Sequence, residues 1–290
     1  MNGRGKVVGV VAAIALMAAC GGTPFPSQDL GVGAPKVRVD ATHLAATLRA
    51  TSAARTARLA MNAELTGLGP ASSLTETGEG VLDLANHAMD FSIHVKTGRV
   101  ALAMQMRLVD GVIYVRLSGV PGAPDRWSKV SAKDVGGSSS PVGTSSDPSQ
   151  LLQTLHGLGA GVVVVGHEKV RGVPTTRYHA TIDLLKAAET KGLSQDTQDG
   201  LHKLLNGLAG SLAKVPTDVW VDAQGRLRKM QMEIDFGSMF GGSPRNSPRM
   251  VITMELYDYG TPVHVEAPPT DQLVPFNPNL LSGGNSTQPA

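Results

Sequence analysis

The residue best placed to do chemistry is Cys20, the only cysteine in the chain. It closes an apolar run that opens Val7-Val8-Gly9-Val10-Val11 and ends Leu16-Met17-Ala18-Ala19, preceded by Arg4 and Lys6 and by no acid. Small alanines before a cysteine suit signal-peptide cleavage, and a thiol at the new N-terminus suits acylation, so the run reads as a bacterial lipoprotein signal. Met17 stands where such signals usually carry Leu, with Leu16 one place early. At about 13 residues the run is shorter than the roughly 20 that a spanning helix needs. One acyl chain anchors weakly and stable attachment takes two or more. A diacylglyceryl thioether with an N-acyl group on Cys20 would therefore hold the chain on the extracytoplasmic face of the cell membrane. The plainer alternative is a secretory signal with an incidental cysteine. With no second cysteine, an internal disulfide is excluded.

The common catalytic signatures do not occur in the sequence. No Gly-x-Ser-x-Gly elbow and no Ser-x-x-Lys followed by Lys-Thr-Gly occurs, which removes the common serine acyl-enzyme patterns. The eight histidines form no His-x-x-x-His pair, and His167-Glu168 lacks the second histidine of a zinc peptidase helix. Gly157-Leu158-Gly159-Ala160-Gly161 is reminiscent of a nucleotide loop. It precedes the Val162 to Val165 strand instead of following one, so it reads as a helix stop and a turn. Asn285-Ser286-Thr287 matches a glycosylation acceptor but sits in a tail behind a bacterial leader and is given no role. The expectation is a protein that is not an enzyme, with no cofactor and no metal.

Composition points the same way. The formal net charge is +2 with both signs interspersed and no basic run interleaved with aromatics, so nucleic acid is not an expected partner. Aromatic residues make up only 4% of the chain against 11 methionines, although large rigid rings usually fill a β-rich core. Strands lined by Ala, Val and Met can enclose an adaptable cavity, because the thioether chain reshapes around irregular apolar guests. The plainer reading is that Met and Leu simply fill the core.

The elements that would position such a surface follow from periodicity. Residues 1–19 are the signal and residues 20–39, rich in Pro and Gly, a flexible tether. Residues 40–276 are expected to form one domain and residues 277–290 a disordered tail. Thr42 can cap a first helix with Leu44, Ala45 and Leu48 on one face. From Ala57 the period is two, with Leu59 and Met61 on one side. It resumes through Met89, Phe91, Ile93 and Val95, then Val100, Leu102, Met104, Met106 and Leu108, as in an antiparallel meander. Asp110-Gly111 turns the chain into Val112 to Leu117, and Trp127 and Lys129 lie in a further short strand.

Gly136 to Ser149 reads as a loop, followed by a short helix striped by Leu151, Leu152, Leu155 and Leu158. A second meander runs from Val162 through a turn at Arg171-Gly172 to Ile182. Leu184, Leu185 and Ala188 then suggest one helix, and Ser194 caps another striped by Leu201, Leu204, Leu205, Leu208 and Leu212. Strands resume with Val219 to Asp222 and a turn at Gly225. Met230, Met232 and Ile234 share one face of the next strand. After a Gly241 to Pro248 loop the last strand follows, with Met250, Ile252, Met254 and Leu256. The total is roughly ten strands and three or four helices.

Several stretches carry a family likeness: Val109-Asp110-Gly111-Val112-Ile113-Tyr114, the later Trp127 and Lys129, the Val170-Arg171-Gly172-Val173 hairpin, Val219-Trp220-Val221-Asp222 with its Gly225 turn, and Tyr257-Asp258-Tyr259-Gly260-Thr261-Pro262-Val263. In this order, behind a lipoprotein signal, they resemble the lipoprotein-carrier superfamily typified by LolA and LolB, and more closely its actinobacterial LppX and LprG branch, over Asp40 to Phe276. The resemblance implies an α+β fold, a strongly curved antiparallel half-barrel whose concave face is covered by helices, with an apolar cavity between the layers. It implies a membrane-anchored carrier or chaperone that takes acyl chains of a glycolipid, lipoglycan or triacylglycerol across the cell envelope, with an envelope transporter as a further partner. Acyl chains would lie against Leu59, Met61, Phe91, Ile93, Leu102, Met104, Met106, Met230, Met232, Ile234, Met250, Ile252 and Met254. Leu152, Leu155, Leu204, Leu205 and Leu208 would close the far side. Each buried methylene contributes about 0.8 kcal/mol, so one long chain is already a strong ligand. The rival reading keeps the fold but fills its core, giving an interaction or sensor lipoprotein that docks a protein or cell-wall partner.

Overall fold

Side chains that alternate apolar and polar make one face of an extended segment worth burying, and here that pattern builds one sheet of thirteen strands. The computed structural model describes residues 38–39, 41–67, 73–97, 100–119, 125–130, 162–183, 214–236 and 247–276. In chain order these hold β1 (Arg38–Val39), α1 (Ala41–Ala53), β2 (Thr56–Thr66), β3 (Leu74–Asp83), β4 (Ala88–Thr97), β5 (Val100–Val109), β6 (Val112–Ser118) and β7 (Trp127–Val130). There follow β8 (Val162–Val170), β9 (Val173–Asp183), β10 (Lys214–Asp222), β11 (Leu227–Asp235), β12 (Arg249–Tyr257), a 3-10 turn (Thr270–Gln272) and β13 (Leu273–Val274).

The spatial order is β1-β8-β9-β10-β11-β12-β2-β3-β4-β5-β6-β7-β13. Every neighbouring pair is antiparallel except β13 with β7. The two meanders read from the sequence are therefore present, and β12 laid against β2 joins them. The expected count of about ten strands is corrected to thirteen. Two of the additions, β1 and β13, are only two residues long, and Arg38 and Val39 fall in the stretch read as tether. The third, β3, escapes the period-two pattern because its alternate positions Leu74, Glu76, Gly78, Gly80 and Leu82 carry too little apolar signal. The helices read around Leu151 to Leu158 and Leu184 to Leu212 lie outside the described residues, as do Cys20, the signal, most of the tether and the tail. Among the described residues α1 is the one α-helix, and no helix is long and apolar enough to cross a membrane.

Local chemistry fixes the hairpins. Asp110 and Gly111 both adopt positive φ (51° and 74°), as do Arg171 and Gly172 (47° and 81°), the geometry that two-residue connections need to match strand twist. Arg171 is a poor residue for that conformation, and its side chain is held elsewhere. It pairs with Glu255 at 2.6 Å and stacks over Tyr257 at 3.9 Å. At the β10–β11 end, Asp222 is fully buried and accepts from the backbone N–H of Gln224 (3.0 Å) and Arg226 (2.9 Å) and from Nε of Arg226 (3.0 Å) and Arg228 (2.7 Å). The Tyr259 hydroxyl donates to the Leu227 carbonyl. Helix α1 docks on this corner, where Thr51 Oγ1 accepts from the Leu227 N–H at 2.9 Å and donates to its own helix at Thr47 O (2.7 Å).

One close approach sets the middle of the sheet. Phe91, 1% exposed, lies across Gly78 and Gly80 of β3. A Cβ on Gly78 would stand 2.5 Å from Phe91 Cζ, and one on Gly80 would stand 2.3 Å from the Asp90 carbonyl oxygen. The two glycines thus make room for one ring, which is why a strand interior tolerates them. Gly78→Ala is expected to cost about 1–3 kcal/mol by overpacking and to be partly rescued by Phe91→Leu in a double-mutant cycle. Gly80→Ala, which meets backbone, should show no such rescue. Urea unfolding of the three single variants, the two double variants and the parent checks both statements.

Candidate functional site

Register places the nominated strand residues on one face. One row across the sheet runs Met104, Ile93, Gly78, Met61, Met254, Met230 from β5 to β11. The next runs Leu102, Val95, Glu76, Ala63, Ile252, Met232 in the same strand order. A third holds Met106, Phe91, Gly80 and Leu59, and a fourth Leu65, Met250 and Ile234. All thirteen strand positions named from the sequence are thus brought together in one hydrophobic cluster, ten of them buried and Leu102, Met106 and Met232 partly so. The five helix leucines, Leu152, Leu155, Leu204, Leu205 and Leu208, lie outside the described residues, and so does Cys20.

Every methionine among the described residues belongs to this face: Met61, Met89, Met104, Met230, Met250 and Met254 inside the cluster, Met106 and Met232 packed against it. Its buried aromatic members are only Phe91 and Tyr178. A surface so composed is apolar and easily reshaped, with little rigid ring to hold its form.

The residue that periodicity alone did not single out is Glu76. It is 0% exposed, it sits in the second row between Ala63 and Val95, and neither carboxyl oxygen has a hydrogen-bond partner among the described residues. Among the described residues it is the only ionisable side chain on this face of β2, β3, β4, β5 and β12. Burial without a compensating donor penalises the charged form and pushes its pKa up to about 7. The signal that could have found it is Thr75-Glu76-Thr77 between Leu74 and Leu82, an alternation that seats Glu76 on the leucine side.

Elsewhere most polar groups are engaged in structure, although Arg177 Nε and Ser247 Oγ are also buried without a hydrogen-bond partner among the described residues. On the other face Asp218 holds Arg177 and, at 2.6 Å, His179, while Trp220 lies under Arg177 (5.0 Å) and Lys229 (4.4 Å) and donates to Glu168. A cleft of about 340 Å³ is bounded by His167, Glu168, Pro174 and Ala223, and one of about 450 Å³ by Thr77, His94, Lys96 and Ser118 together with Val95 and Leu102 of the apolar face; no methionine lines either. Among the described residues no group of three or more His, Cys, Asp or Glu could hold a metal ion.

No family model matches the chain. An uncharacterized 31.2 kDa protein from the rplA-rplJ intergenic region of Streptomyces griseus is 33% identical over 165 residues, 54% of this chain, and the match spans only half of that relative's length. The structural neighbours include LprF from Mycobacterium bovis, with 13% identity, 79% of this chain and 96% of that chain covered, and a TM-score of 0.44. They also include a LolA superfamily protein from Nitrosomonas europaea, with 8% identity, 76% and 94% covered, and a TM-score of 0.25. The MucA/MucB complex of Pseudomonas aeruginosa is a further neighbour, with 12% identity, 79% and 59% covered, and a TM-score of 0.33.

The raised pKa of Glu76 has a definite consequence for stability. Below about pH 4.5 the group is protonated folded or unfolded; between there and about 7 only the folded chain keeps the proton, so stability falls as pH rises through that window. The loss attributable to Glu76 is of order 3 kcal/mol and complete above pH 7. For Asp83 and Asp222, burial pushes upward but hydrogen bonds, from Asn86 and from Arg226 and Arg228, outweigh it and hold both carboxyls low, which gives the opposite slope at lower pH. The stability difference between the parent and Glu76→Gln, followed by urea titration from pH 4 to 8, should therefore swing toward the variant as pH rises. A difference independent of pH would contradict the buried acid.

Proposed function

We propose that the protein is a non-enzymatic carrier or chaperone for an amphipathic lipid, anchored to the extracytoplasmic face of the cell membrane through Cys20. The observation that supports this most directly is the methionine face: all eight methionines of the described residues gathered on one side of the sheet, across five strands, with two buried rings among them. Thioether chains keep rotamer freedom that leucine and phenylalanine lack, which suits contact with acyl chains of varied shape. The leucine-striped segments around Leu152 and Leu155, and around Leu204, Leu205 and Leu208, supply the closing side in this reading. Residues 40–276 form the carrier domain, residues 20–39 the tether, and an envelope transporter is the partner that would load or unload it. The cargo class is an acylated lipid, such as a glycolipid, lipoglycan or triacylglycerol.

Two measurements test this. The full chain isolated from bacterial membranes should carry acyl lipid, seen by native mass spectrometry and released on unfolding. Met232→Glu, at a half-buried position of the face, should lose most of that lipid while keeping its far-UV circular dichroism; unfolding instead would mark the site as ordinary packed core. A lipid-free parent that also takes none from vesicles would favour the docking or sensor reading. Separately, Cys20→Ala should move the protein from the membrane to the soluble envelope fraction, as loss of a multi-chain anchor requires.

A further inference from the structure

An acid at the centre of an apolar face is a cost to the fold unless something meets it. Leucine or valine at position 76 would complete the row that Leu102, Val95, Ala63 and Ile252 begin. Glu76 instead brings two oxygens to a fully buried place, both without a partner among the described residues. The small side chain of Ala63 lies beside it in the row, and Gly78 follows it on the same face of β3. Buried polar groups in proteins are almost always satisfied, and those that are not call for an unseen partner.

We propose that Glu76 is the polar contact for cargo on the methionine face, and that it selects acyl lipids carrying a free hydroxyl next to their chains. The inference rests on the carrier reading and refines its cargo class. The chemistry decides between candidate groups. Below about pH 7 the buried carboxyl is mainly neutral and presents one O–H donor and one carbonyl acceptor, and a hydroxyl, itself donor and acceptor, satisfies both. An ester carbonyl accepts but cannot donate, so it leaves half of the carboxyl unmet. An ammonium group would have to leave water and drive Glu76 to ionise, which adds two desolvation penalties. No cation stands on this face of β2, β3, β4, β5 or β12 among the described residues to offset them.

The full chain is equilibrated with phosphatidylcholine vesicles containing equal amounts of dioleoylglycerol and its 3-O-methyl ether, which have the same chains and differ in the hydroxyl donor alone. Bound lipid is then read by native mass spectrometry. The parent is expected to favour dioleoylglycerol by about tenfold, the worth of one buried hydrogen bond. Glu76→Leu should still carry lipid with the preference gone, and Glu76→Gln, whose amide donates and accepts, should keep most of it. Equal loading of the two lipids on the parent, or a preference that survives Glu76→Leu, would overturn the inference while leaving the carrier intact. Preferential uptake of oleic acid from a second vesicle set would overturn the hydroxyl assignment. If the parent takes up none of these lipids yet carries acyl lipid as isolated, the inference is overturned and the carrier stands; if it carries none as isolated either, the carrier reading fails as well. The parent comparison needs no variant, so a failure of Glu76→Leu to fold leaves the test decisive.

Discussion

The structure depends on the pairing of β12 with β2. These strands come from opposite ends of the domain, with Thr66 and Arg249, 183 residues apart, at one end of the ladder and Arg58 opposite Tyr257 at the other. Each meander could form from its own hairpins, but only this ladder makes them one sheet. It also fixes phase. Side chains alternate with period two, so a slip of one residue would turn Met250, Ile252 and Met254 away from the side that Met61 and Leu59 occupy. The continuity of the methionine face is therefore a property of one non-local register. Forming that register must overcome loop closure over most of the chain, a condition associated with slow folding.

The scarcity of aromatics takes on meaning once their places are known. Trp127 lies under Arg107 and Arg116, Trp220 under Arg177 and Lys229, Tyr257 under Arg171, and Tyr259 under Arg226 and Arg228. The rings are used as flat platforms for cations around the turns and the polar face, where they fasten strand to strand. The apolar face is left mostly to aliphatic and thioether side chains, with Phe91 and Tyr178 as its buried rings. A low aromatic fraction thus reflects a division of labour: rigid contacts on one side of the sheet, deformable ones on the other.

Much of this was legible in the sequence. The strands with strong alternation, the turns at Asp110-Gly111 and Arg171-Gly172, and the shared face of the thirteen apolar strand positions all follow from period-two patterning and positive-φ turn chemistry. What escaped was β3, and the reason is physical. Its buried positions are filled by what its neighbour requires, glycine beneath Phe91, and by Glu76, so the hydrophobic signal is supplied by β4 and not by β3 itself. Two-residue β1 and β13 are likewise defined by partners, β8 and β7, more than by their own residues. Local pattern reports a strand only where the strand's own side chains bury.

The same strand that hides from periodicity carries the one carboxyl that the described residues of β2, β3, β4, β5 and β12 place on the methionine face, and the two facts are connected. Glycine at 78 and 80 gives up side-chain burial on β3, and Glu76 gives up more, so β3 contributes least of the central strands to the apolar core. It is held instead by its ladders, ten paired positions to β2 and ten to β4. A central strand fixed on both sides by backbone hydrogen bonds can bear side chains that would be unaffordable at an edge. The position of Glu76 is in this sense permitted by topology: β2 and β4 supply the stability that position 76 forgoes. A polar group so placed is rigid, dry and surrounded by adaptable chains, the conditions under which a single hydrogen bond discriminates most between ligands.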